Sequence, residues 1–334
     1  MQIDPPIAMI QMITGYVVSQ TVRALAELSI ADHLAHGPAT AHELASKTSA
    51  NQDAVARLLQ AAASFGIVAY DRNRGYVSTP LLDTLRSDVP GSLRALAIAQ
   101  NSPGHWLPMG RLTEAVRTGS NQSAAALGYD LFEYFARTPA EAAIFTKMME
   151  ETSEIVKAEA IRLIDTHSVT TMVDVGGASG ALLCGLAAAN PHVKGIVFDA
   201  PHVVDSAIEH VRQQGLSDRV SVVAGDFFQS VPPADLYLLK FILHDWDDDA
   251  CIKILSNCAK SLLPNGRLVV VTLLLGAIGE PGLGPLADML MLAQTGGKER
   301  TVEEHEKLFA RSGLKLSVVT PTQSPFNLVE AVAA

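Results

Sequence analysis

The chain has 334 residues, with 35 acidic and 25 basic side chains, a formal net charge of −10 at pH 7 and 48% hydrophobic residues. This length exceeds one ordinary core and predicts more than one domain. The acidic balance argues against nucleic acid as a partner, because phosphate neutralisation supplies most of that affinity. No run of about eighteen uncharged apolar residues and no signal-type N-terminus is present, so we expect a cytoplasmic protein without membrane contact.

The cysteines do not indicate a metal site. Cys184, Cys251 and Cys258 lie apart on predicted helices without C-x-x-C spacing. Such spacing indicates neither a zinc site nor a disulfide framework, so we expect buried free thiols and no metal.

Residues 1–100 predict a winged-helix-like domain. Apolar residues recur at helical spacing between residues 10 and 36, Thr40 and Glu43 form a T-x-x-E capping box, and Gly66 stops a further helix. A short hairpin around D-R-N-R-G follows. Winged helices often bind DNA, but this one has no basic stripe, so we expect its apolar helices to form a homodimer instead.

Residues 101–165 predict helices rich in aromatic residues and methionine, and residues 166–334 alternate strands with helices. The alternation predicts a doubly wound α/β sheet. The last two strands, near residues 315–320 and 327–333, are separated only by P-T-Q-S-P, which leaves no room for a crossover helix. These two strands must therefore be antiparallel, unlike those of the all-parallel dinucleotide fold.

Strand ends in this region carry glycines and acids. The run V-D-V-G-G-A-S-G places Gly176, Gly177 and Gly180 at a strand-to-helix turn, where backbone N–H groups can approach a ligand closely. Asp199 and Asp226 end the next two strands, and a carboxylate at such a position can accept ribose hydroxyls. The pattern predicts a nucleoside-like ligand with little need for phosphate binding.

The run L-Y-L-L-K-F-I-L-H-D-W-D-D-D, residues 236–249, is the most informative part of the chain. Its apolar part predicts a strand buried on both faces, which ends with His244 and Asp245 at a ligand cleft. A histidine, with an ordinary pKa of about 6.5, can take a proton at neutral pH, so His244 is the candidate general base. The next helix begins with three aspartates that we expect to be caps and not ligands, Asp247, Asp248 and Asp249.

Together these motifs resemble the S-adenosylmethionine-dependent O-methyltransferases that act on small aromatic and polyketide molecules in plants and bacteria. The resemblance rests on the order and spacing, over residues 174–301, of D-V-G-G-A-S-G, F-D-A-P, G-D-F-F, L-L-K-F-I-L-H-D-W-D-D, L-P-N-G-R-L and G-G-K-E-R-T. The N-terminal half resembles the family's dimerisation domain. The resemblance implies a class I methyltransferase fold and methyl transfer to a hydroxyl oxygen of a small aromatic or polyketide-like acceptor.

The resemblance also implies roles for single residues. For the cofactor, S-adenosylmethionine, it implies that Gly176, Gly177 and Gly180 lie at the methionine end and that Asp199 binds the ribose. It also implies that Asp226 and Phe227 bind the adenine and that Lys240 lies at the cofactor's polar end. Lys240 has no evident local partner in the sequence. For catalysis it implies His244 as base, with Glu299 as one of two flanking acids and Asp245 beside them. For the acceptor it implies contacts with Met148, Met149, Trp246, Asp288 and Met289, under a roof formed by residues 101–165.

Two positions depart from the family. The second flanking acid normally ends the fifth strand, where this chain has Thr272, and a threonine cannot stabilise an imidazolium by charge. Asp288 either replaces that acid or only contacts the acceptor. The alternative function is therefore a SAM-binding enzyme that performs cyclisation, decarboxylation or hydroxylation. Ala178 stands where many methyltransferases have glycine, and we expect the adjacent Gly177 to make this harmless.

Overall fold

The computed structural model describes residues 4–201 and 203–334. The chain forms two compact units, one containing the residues up to Trp106 together with Phe135–Thr152, the other containing Leu107–Tyr134 and Ser153–Ala334. The segment 101–165 is thereby divided between the two units. Within the described ranges, no helix is both long enough and apolar enough to cross a membrane.

The first part of the chain consists of short helices and one hairpin. In order, its elements are α1 (Pro5–Ile13), α2 (Gly15–Glu27), α3 (Ile30–Ala35), α4 (Ala41–Thr48), α5 (Gln52–Ser64), β1 (Val68–Asp71), β2 (Gly75–Ser78), α6 (Pro80–Asp83), α7 (Arg94–Ala99), α8 (Pro103–Met109), α9 (Leu112–Thr118), α10 (Ser123–Leu127), α11 (Leu131–Arg137) and α12 (Pro139–Leu163).

The capping box and the hairpin predicted for this part of the chain are both confirmed. The Thr40 side chain accepts a hydrogen bond from the Glu43 amide and the Glu43 carboxylate accepts one from the Thr40 amide, which completes the capping box of α4. Strands β1 and β2 pair antiparallel, with Asp71 opposite Gly75. Helix α1 buries none of its residues, and it exposes a row of large apolar side chains, Ile7, Met9, Ile10, Met12 and Ile13.

The second part contains the main sheet. Its elements are β3 (Thr171–Val175), α13 (Ala181–Ala189), β4 (Lys194–Asp199), α14 (Val204–Gln213), β5 (Val220–Ala224), β6 (Ala234–Lys240), a 3₁₀ turn (Leu243–Asp245), α15 (Asp248–Ser261), β7 (Leu262–Thr272), α16 (Gly284–Gln294), α17 (Val302–Arg311), β8 (Leu314–Pro321) and β9 (Asn327–Ala333).

The sheet has the predicted doubly wound topology with a terminal hairpin. Its strand order is β5-β4-β3-β6-β7-β9-β8. Strands β3 to β7 pair in parallel, whereas β9 is antiparallel to both β7 and β8. The four consecutive residues of β6 from Leu236 to Leu239 have no exposed surface, as expected for a strand covered on both faces. The parallel strands therefore present their carboxyl ends at one edge, where such sheets bind ligands.

The aspartates at the start of α15 do not share one role, which corrects the expectation that all three are caps. Asp247 is the N-cap, and its side chain accepts from the Ala250 amide. Asp248 instead bonds the buried side chain of Arg300, and Asp249 pairs with a surface arginine of α17. One side chain satisfies the cap geometry, which leaves its two neighbours available for tertiary contacts.

Candidate active site

A strained turn follows β3. Gly176, Ala178 and Gly180 all have left-handed backbone conformations, with φ of +68°, +50° and +74°. A side chain at Gly176 would collide with Ile242, and a Cβ at Gly180 would lie 2.6 Å from a side-chain carbon of β4. Ala178 carries strain itself, because Gly177 does not take the left-handed conformation in its place. Gly177 therefore does not relieve the backbone at Ala178, and the expectation that the alanine is harmless to the site stays a prediction.

Asp199 connects this turn to the end of β4. Its Oδ2 accepts a hydrogen bond from the Ala178 amide at 2.8 Å, and its Oδ1 accepts from the Ala200 amide at 2.7 Å. An ionised carboxylate can accept about four hydrogen bonds, so Asp199 can hold the turn and bind ligand hydroxyls at the same time.

A buried acid lies beneath the turn. Asp174 is 1% exposed, and neither carboxylate oxygen has a hydrogen-bond partner within the described residues. Burial raises the pKa of Asp174 to about 6, although the charge of Lys240 opposes the rise. Burial lowers the pKa of Lys240, and Asp174 in turn opposes that shift. Asp174 is therefore the local charged neighbour of Lys240 that the sequence did not reveal.

Aromatic rings gather beyond β5. The Asp226 carboxylate accepts from the Phe228 amide at 2.8 Å, which orders the D-F-F turn. The rings of Phe227 and Phe228 lie edge-on to Trp246, with centroids 6.1 and 4.8 Å away. Phe132 stacks on Trp246 at 6.4 Å with an interplanar angle of 18°. Trp246 and Phe227, both predicted site residues, thus belong to one aromatic cluster.

His244 lies on the 3₁₀ turn after β6, and its side chain is 17% exposed. Its Nδ1 is 2.8 Å from Oε1 of the buried Glu299, and its Nε2 is 3.9 Å from Oδ1 of Asp245. Burial lowers the pKa of His244, but Asp245 and Glu299 raise it more, so the net pKa lies above the ordinary value. Burial also raises the pKa of Asp245, to about 6. The structure thus brings together the three residues predicted for catalysis.

Asp288 bonds the backbone of Glu299, whereas Thr272 bonds its own neighbour in the chain. Asp288 Oδ1 accepts from the Glu299 backbone amide at 3.0 Å, so it contacts the acid that faces the histidine. Glu299 Oε2 is buried and has no hydrogen-bond partner in the part of the chain described. Thr272 is 3% exposed, and its hydroxyl donates to the carbonyl of Leu273.

The predicted acceptor methionines lie in different places. Met289 is half-buried on α16, in the second unit. Met148 and Met149 lie on α12, within the first unit, where Met148 is 5% exposed and packs with Ala95 and Ala99. Met149 is half-buried, so it retains more surface for a ligand than Met148 does.

Sequence reasoning missed two residues at this site. Phe132 comes from α11, far along the chain from Trp246, and its only signal was membership of an aromatic-rich segment. Arg300 directly follows Glu299 and is 1% exposed, and its only signal was its place in G-G-K-E-R-T. Both act through contacts between distant segments, which spacing along the chain does not encode.

These residues fit S-adenosylmethionine. A Cβ at Gly176 would collide with Ile242, so the bare turn lets a ligand approach its backbone closely. The amides of Gly176, Ala178 and Gly180 donate to acceptors within the protein, so the turn offers space more than free N–H groups. Asp199 offers a carboxylate for a diol, and the aromatic cluster offers flat apolar surface for a base. Asp174 supplies a buried carboxylate beneath the turn, whose charge Lys240 partly offsets.

Comparisons with known proteins agree with this site. Residues 109–315 match the O-methyltransferase domain, and residues 10–88 match the O-methyltransferase dimerisation domain. The chain is 36% identical over 324 residues to phenazine O-methyltransferase PhzM of Lysobacter antibioticus, covering 97% of this chain and 95% of the relative. It is 33% identical over 326 residues to 3-amino-4-hydroxybenzoate 4-O-methyltransferase of Streptomyces cremeus, covering 97% and 89%.

Solved structures give the same result. Human N-acetylserotonin methyltransferase in complex with SAM matches with a TM-score of 0.89 and 28% identity, over 98% of this chain and 97% of the other. A strained glycine turn, an acid-terminated strand and a histidine held by a buried acid therefore occur in a chain that matches known enzymes along almost its whole length. The chain belongs to the family of S-adenosylmethionine-dependent O-methyltransferases.

Proposed function

We propose that His244 is the general base that removes the proton from the acceptor hydroxyl. The observation that carries this proposal is the 2.8 Å contact between His244 Nδ1 and the buried Glu299. A carboxylate only accepts hydrogen bonds, so Nδ1 carries the proton and Nε2 keeps the lone pair needed for a base. Glu299 also stabilises the imidazolium that forms once Nε2 takes the proton.

The chemistry requires such a base. Bound S-adenosylmethionine supplies a methyl group attached to a sulfonium. When an oxygen attacks this methyl group in line, the C–S bond breaks and the sulfur leaves with the bonding electrons. A phenol with a pKa of about 10 is a poor nucleophile at neutral pH until it loses its proton. His244 receives that proton, and the half-buried position of its ring limits competition from water.

For cofactor binding, we infer that the glycine turn and Asp174 hold the methionine end and that Asp199 accepts the ribose hydroxyls. Asp226 and Phe227 would hold the adenine, with Trp246 packed against Phe227. Lys240 balances the buried charge of Asp174 beside the turn. The hydrogen bond from the Ala178 amide to Asp199 supports this arrangement, because it holds the carboxylate beside the glycine turn.

The proposed acceptor is a small aromatic molecule with an acidic hydroxyl. The names of two relatives, a phenazine and an aminohydroxybenzoate methyltransferase, support this class. Trp246 and Met289, both in the second unit, retain exposed surface that suits a flat apolar ring. Asp288 and Met148 are less suited to direct contact, because Asp288 bonds the Glu299 amide and Met148 is buried.

We further propose that the protein is a homodimer through its N-terminal helices. The match to the O-methyltransferase dimerisation domain and the unburied apolar side chains of α1 support this assembly. A row of apolar side chains of this size is uncommon on the surface of a monomer.

The test is incubation with methyl-labelled S-adenosylmethionine and a panel of phenols, followed by mass spectrometry of the products. We expect the label on a hydroxyl oxygen of at least one aromatic acceptor, and no transfer when that hydroxyl is replaced by hydrogen. Consumption of an acceptor without any label in the product would instead support cyclisation, decarboxylation or hydroxylation.

Calorimetry of Asp199→Ala tests the assignment of Asp199 to the ribose. This assignment fails if the affinity for SAM is unchanged.

A further inference from the structure

We propose that Arg300 is a positioning residue that fixes the backbone turn carrying His244. This inference rests on the proposed role of His244 as base. Arg300 is 1% exposed, and it directly follows Glu299, the acid that bonds the imidazole ring. Two consecutive side chains would thus hold the base, one through its ring and the other through its backbone.

The guanidinium of Arg300 bonds both ends of the turn. Its Nη1 donates to the carbonyl of Leu243 at 2.8 Å, and its Nη2 donates to the carbonyl of Trp246 at 2.9 Å. These two carbonyls flank His244 and Asp245. The planar guanidinium has a fixed fork of donors, so it constrains the separation of the two carbonyls and hence the shape of the turn between them. The Cys251 Sγ also lies 3.1 and 3.6 Å from these two carbonyls, but a thiol is a weak donor without a fixed fork.

A carboxylate at the start of α15 completes the arrangement. Asp248 Oδ1 accepts from Nε of Arg300 at 3.1 Å and from Nη2 at 2.8 Å. The pair neutralises a charge that would be costly to bury alone. Because Asp248 lies in the first turn of α15, the guanidinium also links this helix to the 3₁₀ turn before it.

Arg300 is itself anchored to the sheet. Its carbonyl accepts from the Leu275 amide at 3.1 Å, and it forms a parallel bridge with Leu274, just beyond the end of β7. The same segment passes so close to the histidine turn that a Cβ on Gly297 would collide with the His244 carbonyl. Arg300 therefore connects the turn that carries His244 to the sheet, in addition to the covalent connection through the end of β6.

Arg300→Lys tests this role, because it keeps the charge and loses the fork. We expect kcat to fall roughly 10- to 100-fold, since a displacement of about 1 Å at a catalytic group has effects of this size. The affinity for SAM, measured by calorimetry, should be unchanged. Arg267→Lys is the matched control. Arg267 bonds Glu330 across β7 and β9, and its replacement should lower the melting temperature without lowering kcat at temperatures where the protein is folded.

The decisive measurement repeats Arg300→Lys in a His244→Ala background with the labelled-methyl assay. Once the base is gone its position no longer matters, so Arg300→Lys should cause no further loss of turnover. Equal losses in both backgrounds, or a loss of stability alone, would overturn the inference. If His244→Ala keeps wild-type turnover, the proposal for the base itself fails, which is a separate result.

A second variant keeps the test valid if Arg300→Lys does not fold. Asp248→Asn is the milder change, because the asparagine oxygen can still accept from the guanidinium and 44% of the Asp248 side chain is exposed. It removes the charge that orients the guanidinium but leaves the carbonyl bonds in place. We expect kcat to fall roughly 3- to 10-fold, the size of an ordinary hydrogen bond, and the loss to vanish in His244→Ala. An unchanged kcat in Asp248→Asn would count against the inference.

Discussion

At the scale of single residues, the proton affinity of His244 is set by competing effects. Burial disfavours the imidazolium, whereas Asp245 and Glu299 favour it, and the carboxylates prevail. The net pKa lies above the ordinary value of about 6.5, so a larger fraction of the base is protonated at neutral pH than for an exposed histidine. If His244 is the general base, as proposed, its raised pKa makes it a stronger acceptor for the proton of a phenol.

Glu299→Gln should therefore change the pH profile. Wild-type kcat/KM should rise with pH along an acid limb centred above about 6.5, because only neutral His244 can take a proton. In Glu299→Gln the pKa of His244 falls and this limb moves to lower pH, while the maximal rate drops because the imidazolium loses its partner. Profiles between about pH 5 and 9 measure both effects. Glu306→Gln, at an exposed position on α17, should leave the profile unchanged.

Ala178→Gly should not destabilise the protein, unlike most alanine-to-glycine changes. Ala178 has φ of +50°, a conformation that costs a residue with a side chain about 1–2 kcal/mol and costs glycine little. Ala188→Gly, an exposed position in α13, should cost about 1 kcal/mol. Denaturant unfolding of both variants checks the contrast. A similar loss in both would mean that the turn carries no strain at Ala178.

At the scale of elements, the geometry of the candidate site depends on the close approach of two segments of the chain. Residues 297–300 pass against the histidine turn, and glycine at 297 permits the approach. Gly297→Ala should lower kcat at least roughly 10-fold, because the segment that carries Glu299 and Arg300 must shift. SAM affinity should change little. Gly282→Ala is the control, since its Cβ would meet no atom within 4 Å. A wild-type kcat in Gly297→Ala would show that residues 297–300 can move away from the histidine turn without loss of activity.

The elements themselves were largely predictable from the sequence. The apolar run of β6, the capping box at Thr40 and the short P-T-Q-S-P connection are local signals, and each specifies a local structure. The residues at strand ends were predictable for the same reason, because parallel strands meet at one edge. The contact of Phe132 with Trp246 depends on the packing of distant segments, so no local pattern encodes it.

The charge interaction between buried Asp174 and half-buried Lys240 was not predictable either. Asp174 is in register with Leu238, two residues before Lys240, and this alignment exists only once β3 and β6 pair. The strain at Ala178 escaped prediction because the sequence does not state which residue of a glycine-rich turn takes positive φ. Sequence patterns thus indicated the candidate site, whereas the pairing of distant strands determined its electrostatics.

At the scale of the whole molecule, we expect light scattering to give about twice the chain's 35.5 kDa. The apolar side chains of α1 provide the driving force, because burying apolar surface favours association. Ile13→Glu, one of these exposed apolar positions, should shift the protein towards monomer. Ile278→Glu, at a fully exposed loop position, should not. A wild-type monomer at micromolar concentration would contradict the dimer and leave the exposed row on α1 unexplained.

The central claim is that His244 supplies the base for methyl transfer, and turnover of His244→Ala with labelled SAM tests it most directly. We expect a loss of roughly 10²- to 10⁴-fold at pH 7, the usual contribution of a general base, with SAM affinity unchanged. The loss should shrink as the pH approaches the acceptor's own pKa of about 10, because the hydroxyl then ionises unaided. His167→Ala, an exposed position, should behave as wild type. Full turnover of His244→Ala at pH 7 would contradict the claim and leave the positioning of the two bound substrates as the source of catalysis.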